Sequence, residues 1–119
     1  MNDRTDNTLD RLTRLGLHLS PPPAAIGAVE PYVRHREIMY TSGQIAIRDG
    51  HLVATGRLGA DVHLATGQDA ARACAMNVLA QLHAAAGSLD AVTRLVKITV
   101  LVACTAEFVQ ALDEHWNRQ

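Results

Sequence analysis

The sequence predicts one domain in which strands and helices are mixed. Three observations carry that expectation. Residues 66–86 hold helical apolar periodicity behind the capping-box pattern Thr66-Gly67-Gln68-Asp69, and Gly87 is a natural stop. Residues 94–103 alternate with period two, Val96, Ile98, Val100 and Val102 on one face and Leu95, Lys97, Thr99 and Leu101 on the other. Between residues 26 and 54, β-branched and aromatic runs are punctuated by Pro31, Gly43 and the Asp49-Gly50 pair.

Taken in order, residues 5–17 predict a short helix. Leu9, Leu12 and Leu15 form its apolar stripe, Asn7 or Thr8 its cap and Gly16 its end. Pro21, Pro22 and Pro23 forbid helix and stiffen an extended linker. Residues 1–23 therefore read as an N-terminal helix and proline-rich linker, and residues 24–119 as the domain proper. Residues 26–33, interrupted by Pro31, suit an edge strand. Residues 37–44 predict a second strand, in which Gly43 marks either a bulge or a close backbone approach. Asp49-Gly50 predicts a hairpin turn into a brief strand at residues 52–54. On the long helix, Ala71, Cys74, Val78, Leu82 and Ala85 trace the expected buried face. Residues 94–103, apolar on both sides, read as a central strand. Thr105 opens a last helix with Phe108, Leu112 and His115 or Trp116 on one side.

Composition narrows the function classes. The 119 residues are 48% hydrophobic but only 3% aromatic, so the core must rest on aliphatic side chains. Such a core is small, and subunit association is a common remedy. A formal net charge of -1 gives no electrostatic reason to expect nucleic acid or a membrane surface. Arg34, His35 and Arg36 are too few to track phosphates. The polar N-terminus lacks the apolar run of a signal peptide, and no stretch reaches the roughly 20 apolar residues of a membrane span. Cys74 and Cys104 lie in apolar runs and read as reduced, buried thiols of a cytoplasmic protein.

The residues Tyr40-Thr41-Ser42-Gly43-Gln44 resemble the strand that marks the RidA-like (YjgF) family. Asp49-Gly50, Gly56, the helix from Ala70 through Asn77 and Leu79, Gly87-Ser88-Leu89-Asp90 and Val96-Lys97-Ile98-Thr99-Val100 fit the same pattern in the same order. Arg11-Leu12, Arg14-Leu15-Gly16 and the proline run resemble one branch of that family. The resemblance covers residues 26 to 108, with the N-terminal helix in addition. It implies an α+β, chorismate-mutase-like fold: a mixed sheet packed by two helices, here lacking the C-terminal strands. It also implies a homotrimer with clefts between subunits. The implied activity is hydrolysis of reactive enamines and 2-imino acids to keto acids and ammonia, without metal or organic cofactor. A small imine or carboxylate metabolite is the implied partner.

Site residues carry over only where positions match. Ser42 and Gly43 match the substrate-binding strand of the family. The position where the family commonly has a cleft tyrosine is Val29 here. The family's carboxylate-gripping arginine and water-positioning glutamate lie on later strands, and no residue of this sequence matches either. The resemblance thus makes catalysis doubtful for this sequence, and a non-catalytic ligand-binding or interaction module is the alternative.

Other constellations are weaker. The six histidines show neither the helical spacing nor the Cys/His spacing of a zinc site. His51 and His63 read as loop residues. Ser42 with Asp61 and His63 lacks the strand–elbow–helix context of a hydrolase nucleophile. Gly56-Arg57-Leu58-Gly59 is too short for a phosphate loop.

Overall fold

The computed structural model describes residues 7–25 and 27–109. Its elements are α1 (Thr8–Arg14), β1 (Tyr32–His35), β2 (Ile38–Thr41), β3 (Ile47–Arg48), β4 (His51–Leu52), α2 (Leu64–Ala86) and a 3-10 turn at Leu89–Ala91. This is the expected α+β class: helices against small antiparallel sheets, β1 with β2 and β3 with β4.

Asn7 caps α1 by accepting from the Asp10 N–H at 2.9 Å, and the Asp10 carboxylate reaches back to the Asn7 N–H at 3.4 Å. The helix closes where left-handed Gly16 (φ 76°) turns the chain and Leu17 N–H donates to the Leu12 carbonyl. The helix is shorter than the residue 5–17 expectation at its C-terminal end, because the glycine turn takes up Leu15 and Gly16. Leu12 is buried while Leu15 is exposed, so only part of the leucine stripe packs. Leu12 joins Leu82 and Leu89 in the core, with Leu17, Leu19, Met39, Met76, Leu79 and others packed around them.

The first strand begins at Tyr32, after Pro31, and not within residues 27–30; Ile26 lies outside the described residues. Gly27 is left-handed (φ 82°) and Pro31 has no N–H to give a ladder, so the preceding stretch cannot pair. Asp49 and Gly50 both take positive φ, 54° and 80°, the two-residue turn the pair predicts. It joins β3 to β4 with Arg48 opposite His51.

Helix α2 starts at Leu64, ahead of the predicted capping box. His63 is its N-cap, without a side-chain bond, and Thr66 lies inside the first turn. Asp69 does not cap; Arg48 takes its carboxylate instead, through two bonds of 3.0 Å. Gly87 ends the helix in the left-handed region, as predicted. The buried residues of α2 are Ala73, Ala80, Gln81 and Leu82, while Ala71 is exposed. The buried face is therefore rotated from the purely apolar one, because two polar residues on it, Asn77 and Gln81, have work inside.

The predicted central strand is the largest departure. Residues 94–103 form no strand among the described residues, and Val96, Ile98, Val100 and Leu101 are exposed. The sequence has strand character, but a strand exists only against a partner, and no described segment pairs with it along its length. Only its end is held: Leu58 N–H donates to Ala103 O at 3.0 Å and Thr105 N–H to Leu58 O at 2.9 Å. Thr105 then caps a helical turn at residues 106–109, its hydroxyl accepting from Phe108 N–H. Leu112, His115 and Trp116 lie outside the described residues. Cys74 and Cys104 are free thiols, half-buried and not fully enclosed as expected.

Candidate functional site

The loop that follows β2 carries both predicted site residues. Thr41 is the last residue paired with β1, opposite Tyr32. Ser42 then anchors twice to one acceptor: its N–H donates to Pro31 O at 3.0 Å and its hydroxyl donates to the same oxygen at 3.2 Å. The Ser42 hydroxyl proton is thus committed, and Oγ faces any further partner as an acceptor. Gln44 folds back, its side-chain amide donating to Ser42 O.

Gly43 is exposed, with a backbone angle outside the left-handed region and nothing within 4 Å of where a Cβ would stand. Neither conformation nor crowding within the described residues demands glycine here. The N–H groups of Gly43 and Gln44 have no hydrogen-bond partner among the described residues. Two adjacent donors with no partner among the described residues, beside open space and a half-buried serine oxygen, are the chemical content of this loop. The donors suit an anionic or carbonyl oxygen, and the serine oxygen suits a donor.

Past Gln44 the loop is pinned. Ile47 N–H closes a three-residue turn onto Ile45 O at 2.8 Å. The Asn77 amide, on α2, donates to Ile45 O at 3.0 Å and to Ile47 O at 2.9 Å. Arg48, one residue further, is tied to Asp69, with Arg72 at 3.9 Å from the same carboxylate. The Arg48 hydrogen bond and charge hold Asp69 below the ordinary carboxylate value, and Asp69 raises Arg48 in turn. Sequence reasoning placed Asn77 only within a family-like helix segment, and did not find Arg48 or Gln81. The available signal was polar residues spaced i, i+4 on a helix face otherwise apolar.

The remaining candidates are not brought to this loop. Val29 is exposed in the irregular stretch before β1. Asp61 accepts from Arg57 N–H at 2.8 Å, which lowers its pKa, and engages no histidine. Among the described residues no three His, Cys, Asp or Glu side chains gather as a metal site, and no helix is long and apolar enough to cross a membrane. An open groove of about 430 Å³ lies elsewhere, between the N-terminal arm and α2, lined by Leu12, Leu17, Pro21, Ala80 and His83 among others. None of its lining residues belongs to the segment from Ser42 to Arg48.

With fold and loop described, the class is that of chorismate-mutase-like α+β proteins. The chain belongs to the family described as "YjgF/chorismate_mutase-like, putative endoribonuclease", whose profile matches residues 9–116. It is 39% identical over 99 residues to protein TCP17 of Trypanosoma cruzi, covering 83% of this chain and 62% of that protein. Among solved structures it is similar to Atu1372 of Agrobacterium tumefaciens, of unknown function (TM-score 0.76, 38% identity, 89% of this chain and 65% of the other). It is also similar to a "putative endoribonuclease" of Shewanella oneidensis (TM-score 0.63, 40% identity, 66% and 52%). The chain spans less than two thirds of the length of each of these relatives.

Proposed function

We propose that the chain binds a small 2-keto or 2-imino acid at the loop after β2. The RidA-type reaction, hydrolysis of the imine, depends on an arginine and a glutamate that no residue here matches. The observation that carries the reading is the open space at Gly43 beside the N–H groups of Gly43 and Gln44, which have no partner among the described residues. A carboxylate accepts from those two donors, and the imine N–H donates to Ser42 Oγ, whose own proton already lies on Pro31 O. The site chemistry needs no metal or organic cofactor. The same reading includes a homotrimer in the cytoplasm. Support for association comes from apolar surface left bare on the β1–β2 hairpin (Val33, Ile38, Tyr40) and on residues 95–102. Neither net charge nor surface favours nucleic acid.

The test is an amide-resolved NMR titration with 2-ketobutyrate, a stable compound that keeps the carboxylate those two donors take and lacks the imine N–H. The Gly43 and Gln44 amides are expected to shift, and Gly43→Val to abolish the shift by filling the space. Unmoved amides at saturating ligand would sink the binding reading. In parallel, an enamine generated by threonine dehydratase and trapped with semicarbazide measures hydrolysis. Acceleration over buffer would extend the reading from binding to turnover, and none would leave binding alone. Light scattering after size exclusion is expected to give three chain masses; a single chain mass would overturn the trimer.

A further inference from the structure

We infer that Asn77 is a positioning residue: its side-chain amide fixes the path of residues 45–47 and through it the presentation of the Gly43 and Gln44 donors. The inference rests on the ligand reading of that loop and adds the group that sets its geometry. Asn77 sits in the middle of α2, where an asparagine is a poor helix former and its polar head needs an inward partner. Its side chain is half-buried and both amide hydrogens are spent, one on Ile45 O at 3.0 Å and one on Ile47 O at 2.9 Å.

The two acceptors belong to a turn that closes on itself through Ile47 N–H to Ile45 O. Without Asn77, the Ile45 carbonyl keeps one donor and the Ile47 carbonyl loses its side-chain partner. The turn is then free to re-form as regular strand continuing β2 into β3. That change would swing the chain between Ser42 and Ala46, because Ser42 is fixed at one end by Pro31 O and Ala46 at the other by Val53 N–H at 2.8 Å. The sidechain acts across the loop and touches no ligand.

The experiment compares Asn77→Asp, Asn77→Ala and, as a control, Gln81→Met. Aspartate keeps the shape and turns the facing donor into an acceptor opposed to two carbonyls. Gln81→Met removes the other inward amide of α2, whose Nε2 donates to Pro23 O at 3.3 Å. Amide hydrogen exchange of Ile47 and Val53 is expected to rise about tenfold or more in both Asn77 variants, as the loss of two ordinary hydrogen bonds allows. In Gln81→Met these two amides are expected to change only as much as the whole domain does. The apparent Kd for 2-ketobutyrate is expected to weaken by about tenfold in the Asn77 variants and to hold in Gln81→Met.

Unchanged local exchange at Ile47 and Val53, in either Asn77 variant, would overturn the inference. Should both variants fail to fold, the wild-type protein decides. Side-chain amide protons of Asn77 exchanging as fast as those of exposed asparagines would overturn it, and strong protection would sustain it. A wild type that binds no 2-ketobutyrate sinks the ligand reading by itself, while the exchange comparison still decides the role of Asn77.

Discussion

Leu12 and Leu15 lie on the same short helix, in the same leucine stripe, and the structure assigns them opposite weights. Leu12 is 9% exposed and packs with Leu82 and Leu89; Leu15 is 73% exposed. Replacing Leu12 by alanine removes three buried carbons, about 2.4 kcal/mol at roughly 0.8 kcal/mol per methylene. A residual cavity adds to this, and buried Leu→Ala changes span about 2 to 5 kcal/mol. The lower half of that range applies here. The site lies between a two-turn helix and a 3-10 turn, which can relax into the gap, and the arm can detach locally and so cap the global loss. The expected cost of Leu12→Ala is thus about 2.5 kcal/mol, a fall in Tm of roughly 10 °C for a domain of this size. Leu15→Ala is expected to stay within about 0.5 kcal/mol of wild type. Thermal and urea unfolding followed by circular dichroism measures both, with limited proteolysis reporting release of the arm. Equal effects of the two substitutions, or a Leu12→Ala protein as stable as wild type, would refute the placement of the core.

Two glycines separate fold from site in the same way. Gly87→Ala forces a side chain into the left-handed region (φ 80°) and is expected to cost about 1 kcal/mol, whereas Gly43→Ala, with ordinary φ and open space, is expected to leave unfolding unchanged. Acid stability follows the carboxylates. Asp90 is held below its ordinary value by the Thr8 hydroxyl and N–H, and Asp69 by Arg48. A depressed folded pKa gives stability that is fully present above the unfolded value of about 3.9 and is lost as pH falls through the lower folded value. Melting temperature is expected to be flat from pH 5 to 7 in respect of these groups and to drop below about pH 4, with a shallower drop in Asp69→Asn and Asp90→Asn; equal slopes in all three proteins would contradict the assignment. Burial pushes the Cys74 thiol up, so its alkylation at pH 8 is expected to be slower than that of a free cysteine peptide, as mass spectrometry after iodoacetamide would read.

Legibility in the sequence tracked locality. The Asp49-Gly50 turn, the Gly87 stop and the Asn7 cap each depend on a few adjacent residues, and each appears where the sequence puts it. Residues 94–103 carry as strong a strand pattern as any in the chain, but pairing is a property of two segments and the pattern names only one. The capping-box reading of Thr66 to Asp69 failed for a related reason: a carboxylate three residues past a threonine is equally good for a distant guanidinium, and Arg48 is 21 positions away. At the proposed site, Ser42 and Gly43 were visible through the resemblance of Tyr40 to Gln44 to the family's strand. What holds them was not, since Pro31 acts through a backbone oxygen that no sequence displays.

Helix α2 shows why the polar interruptions of an apolar face are informative. Asp69, Asn77 and Gln81 each reach a different part of the chain: the β3 arginine, the carbonyls of residues 45 and 47, and the carbonyl of Pro23. Three apolar residues at these positions would bury as much surface, but packing alone leaves a helix free to slide or rotate against its neighbours at little cost. Hydrogen bonds to fixed carbonyls are directional, and a buried amide misaligned with its acceptor forfeits about 1–3 kcal/mol. The polar residues therefore set register where the leucines and alanines set only adhesion. Asn77 and Gln81 stand one helical turn apart, about 6 Å, so the end of the proline arm and the loop carrying Gly43 are referenced to neighbouring points on one rigid rod. The arm is then part of the frame that locates the proposed ligand loop, although no residue of the arm carries that loop's chemistry.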